Sequence, residues 1–226
     1  MQIIEIYRSI QGESSFAGVP CTFVRLAACN LRCTWCDSEY TFTGGKKMTA
    51  EEVEHEVSKL SPAGLVEITG GEPMLQEREL LPLMDRLLAR GYTLLLETSG
   101  ERPLEGVPNA VHKIVDVKCP GSGEGGSFRM DNLKALTNQD EIKFVLADRQ
   151  DYEFARNFTR EQKLESKVQS VIFSPAFLKK PSSERDASNC QLDPRVLTEW
   201  ILEDKLNVRL GLQIHKFIWE PATKGV

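Results

Sequence analysis

The chain has 226 residues, of which 41% are hydrophobic and 27% charged, and its formal net charge is -5. This length and composition are typical of a globular protein with a sizeable core. The acidic balance argues against broad binding to nucleic-acid phosphates, so we expect a small ligand and no nucleic-acid partner. No apolar run has the length of a membrane helix, and MQIIEIYRSIQG lacks the features of a signal peptide, so we expect a cytoplasmic protein without membrane contact.

Seven short apolar or β-branched runs predict strands. They cover residues 21–27, 65–69, 92–97, 111–117, 141–146, 168–173 and 207–212. Between the first two runs, Thr49 and Glu52 form a capping box that predicts the start of a helix. Further helices are predicted over 77–90, where Gly91 ends the helix, and over 148–163 and 193–205.

The alternation of strands and helices predicts a parallel sheet with right-handed crossovers. The fold class is therefore α/β, layered or barrel-like, and a single domain over residues 1–226 is the simplest organisation. There are too few units for a full eight-fold barrel. Residues 121–127 and 179–189 have the composition of loops, and the alternation resumes after each of them.

Polar motifs follow four of the predicted strands at their carboxyl ends. They are CNLRCTWC at 29–36, TGGEP at 69–73, ETSG at 97–100 and DVKCPGSG at 116–123. Ligands of open or partial α/β barrels bind at the carboxyl ends of the strands. We therefore expect these four motifs to line one site.

Three of the six cysteines lie within eight positions, and Cys21, Cys119 and Cys190 are scattered. This is unlike a secreted disulfide framework, and the scattered cysteines are interpreted as small buried hydrophobes. Three thiolates at the spacing C-x3-C-x2-C suit a soft metal centre, either zinc or an iron-sulfur cluster. A closed zinc site needs a fourth ligand, whereas the three histidines, His55, His112 and His215, are distant in sequence. The spacing alone leaves both centres open.

The cysteine motif, with Trp35 before its third cysteine, resembles the signature of the radical S-adenosylmethionine (SAM) superfamily. In that superfamily three cysteines hold a [4Fe-4S] cluster whose open iron binds SAM, and reductive cleavage of SAM gives a 5′-deoxyadenosyl radical. The segment Gly70-Gly71-Glu72-Pro73 resembles the segment whose backbone receives the SAM amino group. Glycine suits a place where backbone closely approaches a ligand.

The resemblance extends nearly end to end. The motifs IYRSIQGE, VRLAACNLRCTWCDS, TGGEP, ETSG, DVKCPGSG and LQIHKFIW are similar to those of the 7-carboxy-7-deazaguanine synthase family. The resemblance implies conversion of 6-carboxy-5,6,7,8-tetrahydropterin to 7-carboxy-7-deazaguanine with loss of ammonia, in 7-deazapurine (queuosine) biosynthesis. It also implies magnesium, an electron donor such as flavodoxin or ferredoxin, and a homodimer. The implied fold is a partial, distorted (β/α)6-type barrel.

Position by position, the resemblance assigns Cys29, Cys33 and Cys36 to the cluster and Ser38 to magnesium. Ser38 stands where the family pattern leads us to expect threonine, and it keeps the hydroxyl group. The positions assigned to SAM are Trp35, Cys36, Asp37, Gly71, Ser99, Asp116 and Lys118. Those assigned to the substrate are Ile10, Gln11, Gly12, Glu13, Arg25, Thr69 and His215.

Chemistry agrees with a pterin pocket, because a carboxylate such as Glu13 can accept from the pterin donor edge while Arg25 or His215 meets the ring carboxylate. Alternatives stay open for two of these residues: Arg25 can instead pair with a core carboxylate, and His215 can be structural. Two other functions are weighed for the chain. One is a radical SAM activase that places a radical on a protein glycine, and the other is a non-enzymatic iron-sulfur or zinc module.

Overall fold

Nine strands form one sheet in the computed structural model, which describes residues 1–220 and 223–225. The strands are β1 (Gln2–Ile10), β2 (Pro20–Leu26), β3 (Lys46–Lys47), β4 (Leu65–Gly70), β5 (Thr93–Thr98), β6 (His112–Asp116), β7 (Glu141–Leu146), β8 (Ser170–Pro175) and β9 (Arg209–Leu210). Their order across the sheet is β3-β1-β2-β4-β5-β6-β7-β8-β9. All seven predicted strands are confirmed, although β9 is shorter than its apolar run.

The predicted parallel pairing holds from β2 through β4 to β9. It is wrong at one edge, where β1 pairs antiparallel with β2 and β3 pairs antiparallel with β1. Neither β1 nor β3 is among the predicted strands. The chain reverses between β1 and β2 through residues 11–19, so no helix is needed to return it. The result is an α/β sheet of partial-barrel type with an antiparallel edge.

The helices of the described chain are α1 (Ala50–Leu60), α2 (Glu77–Ala89), α3 (Arg149–Glu161), α4 (Pro194–Glu203) and the short α5 (His215–Ile218), besides several 3-10 turns. The first four confirm the predicted helices, and α5 is not predicted. Both hydrogen bonds of the Thr49–Glu52 capping box are present. Gly91, at φ 83°, follows the end of α2 in the left-handed conformation that glycine adopts without strain. Local sequence chemistry therefore sets these helix ends.

The two faces of the sheet carry different cores. The larger one packs against the helices and contains alternating residues of the parallel strands, for example Val24, Leu26, Val66 and Ile68. A small apolar cluster lies on the opposite face, because residues between these positions point the other way. We call it the apolar floor; its members are Cys21, Phe23, Leu65, Leu95 and Ile114. On this inner face, side chains nearer the carboxyl ends of the strands are polar.

Burial bears out most of the structural interpretations of single residues. Cys21 and Cys119 are each 1% exposed, as small buried hydrophobes, and Cys190 is half-buried. The charged residues of α1, Glu51, Glu52, Glu54 and Glu56, are predicted from the sequence to form a solvated face. For Glu54 this prediction is wrong. Its carboxylate is buried and pairs with Arg86 at 2.7 Å and Arg90 at 2.6 Å.

Within residues 1–220 and 223–225, no helix combines the length and the apolar character needed to cross a bilayer.

The fold contains one ion pair that is sealed from solvent. Lys113 and Asp140 are both 0% exposed, and their charged atoms lie 3.2 Å apart. Asp140 also accepts from the backbone N–H groups of Lys113 at 2.8 Å and Thr137 at 2.7 Å. The pair thus joins the start of β6 to the turn before β7.

We predict that Asp140→Ala lowers the free energy of unfolding by about 3 kcal/mol, because it leaves the Lys113 ammonium buried without its counterion. Thermal unfolding should show a fall in Tm of roughly 6 to 12 °C. The matched control is Asp131→Ala, which removes an exposed ion pair with Lys134 and should leave Tm unchanged. Equal effects of the two substitutions would contradict this account.

Candidate active site

One cavity of about 560 Å³ opens at the carboxyl ends of the parallel strands, and every residue singled out by the resemblance lines it. The cavity therefore joins the four motifs that follow β2, β4, β5 and β6, as predicted. It includes the cluster and magnesium positions Cys29, Cys33, Cys36 and Ser38. It includes the SAM positions Trp35, Asp37, Gly71, Ser99, Asp116 and Lys118. It also includes the substrate positions Ile10, Gln11, Gly12, Glu13, Arg25, Thr69 and His215.

The cysteine loop leaves β2 through a strained residue. Ala28 has φ 76°, a left-handed conformation that is uncommon for residues other than glycine. Two backbone hydrogen bonds hold it: its N–H donates to the Thr41 carbonyl at 2.7 Å, and its carbonyl accepts from Glu72 N–H at 2.8 Å. Neighbouring segments thus fix the direction in which the loop enters the cavity.

The loop after β6 fixes the other end of the cysteine loop. Thr34 donates through its N–H to the Ser122 carbonyl at 2.9 Å and through its hydroxyl to the Gly121 carbonyl at 3.0 Å. Arg32 N–H donates to a Glu124 carboxylate oxygen at 2.5 Å. Residues 121–127 are thus a loop, as predicted, but their role in holding the cysteine loop is not evident from the sequence.

The three thiols of the loop are half-buried and free of disulfides. Burial raises the pKa of Cys29 and raises that of Cys33 to about 11. In the described part of the chain, no three His, Cys, Asp or Glu side chains converge as a single metal ion requires. Thiolates that bind separate irons of a cluster need not converge on one point, so three half-buried thiols on one loop are suitable ligands for a cluster.

Glycine is required beside the cysteine loop. A Cβ atom at Gly71 would lie 2.2 Å from the Ala28 carbonyl oxygen and 2.7 Å from Cys29 Cβ. At Gly70, which has φ 151°, a Cβ atom would lie 2.3 Å from the Leu26 carbonyl oxygen. The two glycines therefore let the TGGEP segment pack directly against the backbone that carries the first cysteine.

Glu72 joins the ends of two strands. Its carboxylate is fully buried and accepts from Met74 N–H at 3.0 Å, from the Thr98 hydroxyl at 2.7 Å, and from both Ser99 N–H at 2.8 Å and the Ser99 hydroxyl at 2.7 Å. The glutamate of TGGEP thus holds the ETSG segment after β5 beside the segment after β4. Ser99 lines the cavity, and its hydroxyl group donates its proton to Glu72.

A lysine absent from the predicted site lies at the centre of the polar layer. The Lys143 side chain is 3% exposed, and its ammonium donates to Glu13 Oε2 at 2.6 Å and to Glu97, with Asp116 Oδ2 at 3.8 Å. Burial alone would lower the pKa of Lys143, but these carboxylates raise it well above its usual range. Burial likewise opposes ionisation of Glu13, yet Lys143 and His215 bring its pKa down to about 2. Both groups are therefore charged at neutral pH.

The two SAM-assigned residues after β6 form their own ion pair. Lys118 Nζ donates to Asp116 Oδ2 at 2.7 Å. Burial alone would lower the pKa of Lys118, but the adjacent Asp116 carboxylate raises it. The lysine is thus charged at the cavity wall.

Arg25 has a carboxylate partner within the chain. Its Nε donates to Glu5 at 2.8 Å and its Nη2 to the Tyr7 hydroxyl at 2.7 Å, while the Tyr40 hydroxyl donates to the same Glu5 oxygen at 2.7 Å. These two bonds use two of the five N–H groups of a guanidinium. Arg25 can thus be held by Glu5 and still bind an anion in the cavity.

Residues 212–219, which carry the motif LQIHKFIW and are called the late segment, connect the cysteine loop to the substrate-assigned segment at residues 10–13. Lys216, a residue that sequence reasoning missed, donates to Asp37 Oδ2 at 2.6 Å and to Gln213 at 3.0 Å. Gln213 in turn donates to Glu13 Oε1 at 2.7 Å. The Asp37 side chain is 55% exposed, and the adjacent Lys216 ammonium lowers its pKa below the usual range.

His215 packs closely on the substrate-assigned segment. A Cβ atom at Gly12 would lie 2.1 Å from His215 Nδ1, so any other residue there would displace the imidazole ring. Burial lowers the pKa of His215 below 6.5, which leaves the imidazole neutral at neutral pH. A neutral imidazole can donate or accept a hydrogen bond but supplies no positive charge.

Thr223, Lys224 and Gly225 also line the cavity, and the Lys224 ammonium lies 4.3 Å from the centre of the Tyr40 ring. Whether the terminal carboxylate joins the site concerns Val226, which lies outside the described residues.

Comparison with known proteins agrees with this geometry. The model of the radical SAM superfamily matches residues 24–119. Among solved structures, QueE from Escherichia coli superposes with a TM-score of 0.71 at 23% identity, covering 93% of this chain and 92% of that one, which supports the fold. Streptococcus suis SuiB bound to its precursor peptide superposes with a TM-score of 0.55 at 13% identity, covering 83% of this chain and 47% of that one.

The fold and site thus define a radical SAM protein, and this superfamily implies a [4Fe-4S] cluster and SAM. A curated relative from Koribacter versatilis, 7-carboxy-7-deazaguanine synthase, is 70% identical over 226 residues and covers all of both chains. The synthase of Chlorobaculum tepidum is 42% identical over 100% of this chain and 97% of its own. The chain belongs to the 7-carboxy-7-deazaguanine synthase family.

We predict that Gly71→Ala prevents normal cluster assembly, because the new methyl group must displace the backbone at Ala28 and the Cys29 side chain. After anaerobic reconstitution, iron per chain and the brown absorbance should fall well below those of the unmodified protein. The control is Gly126→Asn, at a left-handed position with open space around it, which should retain its iron. Full iron loading of Gly71→Ala would show that this close contact is dispensable.

Proposed function

We propose that this chain converts 6-carboxy-5,6,7,8-tetrahydropterin to 7-carboxy-7-deazaguanine with loss of ammonia, in 7-deazapurine (queuosine) biosynthesis. The observation that carries the proposal is the single cavity that contains the cysteine loop, TGGEP, residues 10–13 and the late segment. Its volume of about 560 Å³ lies in the range of small-molecule sites. Identity of 70% along the whole of a relative named for this product supports the same reaction.

Cys29, Cys33 and Cys36 would hold the cluster in this proposal. Trp35, Asp37, Gly71, Ser99, Asp116 and Lys118 would border SAM. When bound, the cluster and SAM supply a 5′-deoxyadenosyl radical. Other residues of the chain hold the cofactor-binding segments in place. Glu72 aligns the segments after β4 and β5, and the loop after β6 holds the cysteine loop.

The polarity of the other part of the cavity suits a carboxylated pterin. Arg25 and Lys216 are two of the cations that line the cavity and can meet the substrate carboxylate, and the neutral His215 can add a hydrogen bond. The pterin edge carries N–H donors, for which Glu13 keeps unused lone pairs beside its bonds to Lys143 and Gln213. This complementarity favours a small substrate over the polypeptide loop that a glycyl-radical activase must accept.

Magnesium, a redox partner and a homodimer belong to the same proposal. Ser38 is our candidate for the protein ligand to Mg²⁺, since its hydroxyl lies 3.8 Å from Cys36 Sγ and lines the cavity. A hydroxyl oxygen is a suitable ligand for this hard cation, which would orient the substrate carboxylate. The electron donor would be a flavodoxin or ferredoxin.

The reaction is tested by anaerobic incubation with SAM, a reductant and the carboxylated tetrahydropterin, followed by mass analysis. We expect 7-carboxy-7-deazaguanine together with ammonia, and neither from the Cys33→Ala variant, which lacks a cluster ligand. Deoxyadenosine release without a deazaguanine product, or a radical on a protein glycine, would instead support the activase. Stoichiometric zinc without iron uptake would support a binding module.

For magnesium, we predict that Ser38→Ala reduces the stimulation of the rate by added Mg²⁺ while the cluster absorbance persists. Ser38→Thr keeps the hydroxyl group and should retain the stimulation. The measurement is the initial rate against Mg²⁺ concentration for the three proteins at equal iron content. An unchanged magnesium response in Ser38→Ala would remove Ser38 from the metal site.

A further inference from the structure

Glu67 is a buried acid that neither the sequence motifs nor the proposed reaction uses. It lies in the middle of β4, two residues before Thr69, and is 1% exposed. Its side chain lines the cavity, on the same face of the sheet as Leu65 of the apolar floor. A carboxyl group in such a place must be paired or neutral.

Glu67 makes two contacts with groups that border the cavity. Gln11 Nε2 donates to Glu67 Oε2 at 3.0 Å. The carboxyl group of Glu97, on β5, also lies within hydrogen-bonding reach of the Glu67 carboxyl group. Two carboxyl groups can share a hydrogen bond only if one of them carries a proton.

The charges around Glu67 offer it no cation of its own. It faces Glu13 from the loop after β1, Glu97 from β5, the Tyr7 hydroxyl from β1 and the Cys21 thiol from β2. The ammonium at the centre of this layer, that of Lys143 on β7, already pairs with Glu13, with Glu97 and with Asp116 of β6. Across the described residues, Glu67 takes part in no salt bridge, unlike Glu13 and Glu97.

We propose that Glu67 is a positioning residue that stays protonated, donates its proton to Glu97 and accepts from Gln11, and so fixes two side chains at the edge of the ligand space. The arrangement explains how a fourth carboxyl group fits into a layer that also holds Glu13, Glu97 and Asp116. Burial, followed by the charge of Glu97, raises the pKa of Glu67 well above its ordinary value.

The contact with Gln11 extends this effect to the substrate-assigned segment. With its Nε2 on Glu67, Gln11 presents Oε1 to the backbone N–H groups of Glu13 at 2.8 Å and Ser14 at 2.9 Å. Glu67 therefore determines which way the Gln11 amide points, and the amide holds the turn that carries Glu13. The link to the pterin rests on the proposed function, whereas the protonated state of Glu67 does not.

The protonated state of Glu67 determines how the stability of the fold changes with pH. Glu67 in the unfolded chain titrates near its ordinary pKa of about 4.5, while in the folded chain it keeps its proton to higher pH. The native state then binds one proton more than the unfolded state, so this group costs increasing stability as pH rises above that value. Glutamine mimics the protonated acid, with one acceptor and an N–H donor, and removes this cost.

The first test measures Tm of the anaerobically reconstituted protein against pH, from about pH 5 to about pH 8.5. Relative to the unmodified protein, Glu67→Gln should gain Tm steadily as pH rises, by about 3 to 5 °C for each pH unit over which Glu67 keeps its proton. The control is Glu54→Gln, which removes a buried carboxylate paired with Arg86 and Arg90 and should lower Tm at neutral pH. A Glu67→Gln protein that is destabilised in the same way would show that Glu67 is ionised and would overturn the proposal.

The second test measures the response to the carboxylated tetrahydropterin. Glu67→Leu leaves Gln11 and Glu97 without their partner and should raise KM about tenfold with a smaller change in kcat. Glu67→Gln should recover most of that loss, and a KM as high as that of the leucine variant would contradict the proposal. If the pterin is not turned over at all, the proposed function fails, and the pH dependence of Tm still decides the state of Glu67.

Discussion

The buried ammonium of Lys143 organises the polar layer that borders the cavity. Lys143 carries its charge into a place where the side chain is 3% exposed, and a charge so placed requires close counterions. Glu13, Glu97 and Asp116 meet it from the loop after β1, from β5 and from β6. The contacts fix where three separate segments stand relative to one another, and these segments border the ligand space.

The cofactor side of the cavity depends on backbone packing. Ala28 is held in a left-handed conformation, and Gly71 packs so closely against it that no side chain fits. The Glu72 carboxylate accepts one hydrogen bond from Met74, one from Thr98 and two from Ser99. These bonds join the TGGEP segment to the segment after β5. Charge pairing on one side of the cavity and close backbone contact on the other thus hold the groups of the site in position, which lowers the entropic cost of bringing reactants together.

Sequence reasoning succeeds where the signal is local. The cysteine spacing, TGGEP and the Thr49–Glu52 capping box each lie within a few positions, and the parallel strands follow from short apolar runs. It fails where partners are distant: Lys143 and Glu13 are 130 positions apart, and Lys216 and Asp37 are 179 apart. Such pairs exist only once the sheet has formed. For the same reason the sequence gives no sign that Glu67, whose partner Gln11 is distant in the chain, differs from other strand residues. The antiparallel edge at β1 follows from a chain reversal, which the alternation of helices and strands does not predict.

The account requires that cofactor and small substrate meet in one cavity. The family resemblance further implies that the deoxyadenosyl radical takes the C6 hydrogen of the substrate and that a hydrogen returns at the end of the reaction, which regenerates SAM. The most direct measurement uses carboxylated tetrahydropterin labelled with deuterium at C6, incubated anaerobically with SAM and a reductant. The account predicts that deuterium appears in the recovered SAM and that 7-carboxy-7-deazaguanine exceeds the SAM consumed. Unlabelled SAM, or one deoxyadenosine released per turnover, would contradict it.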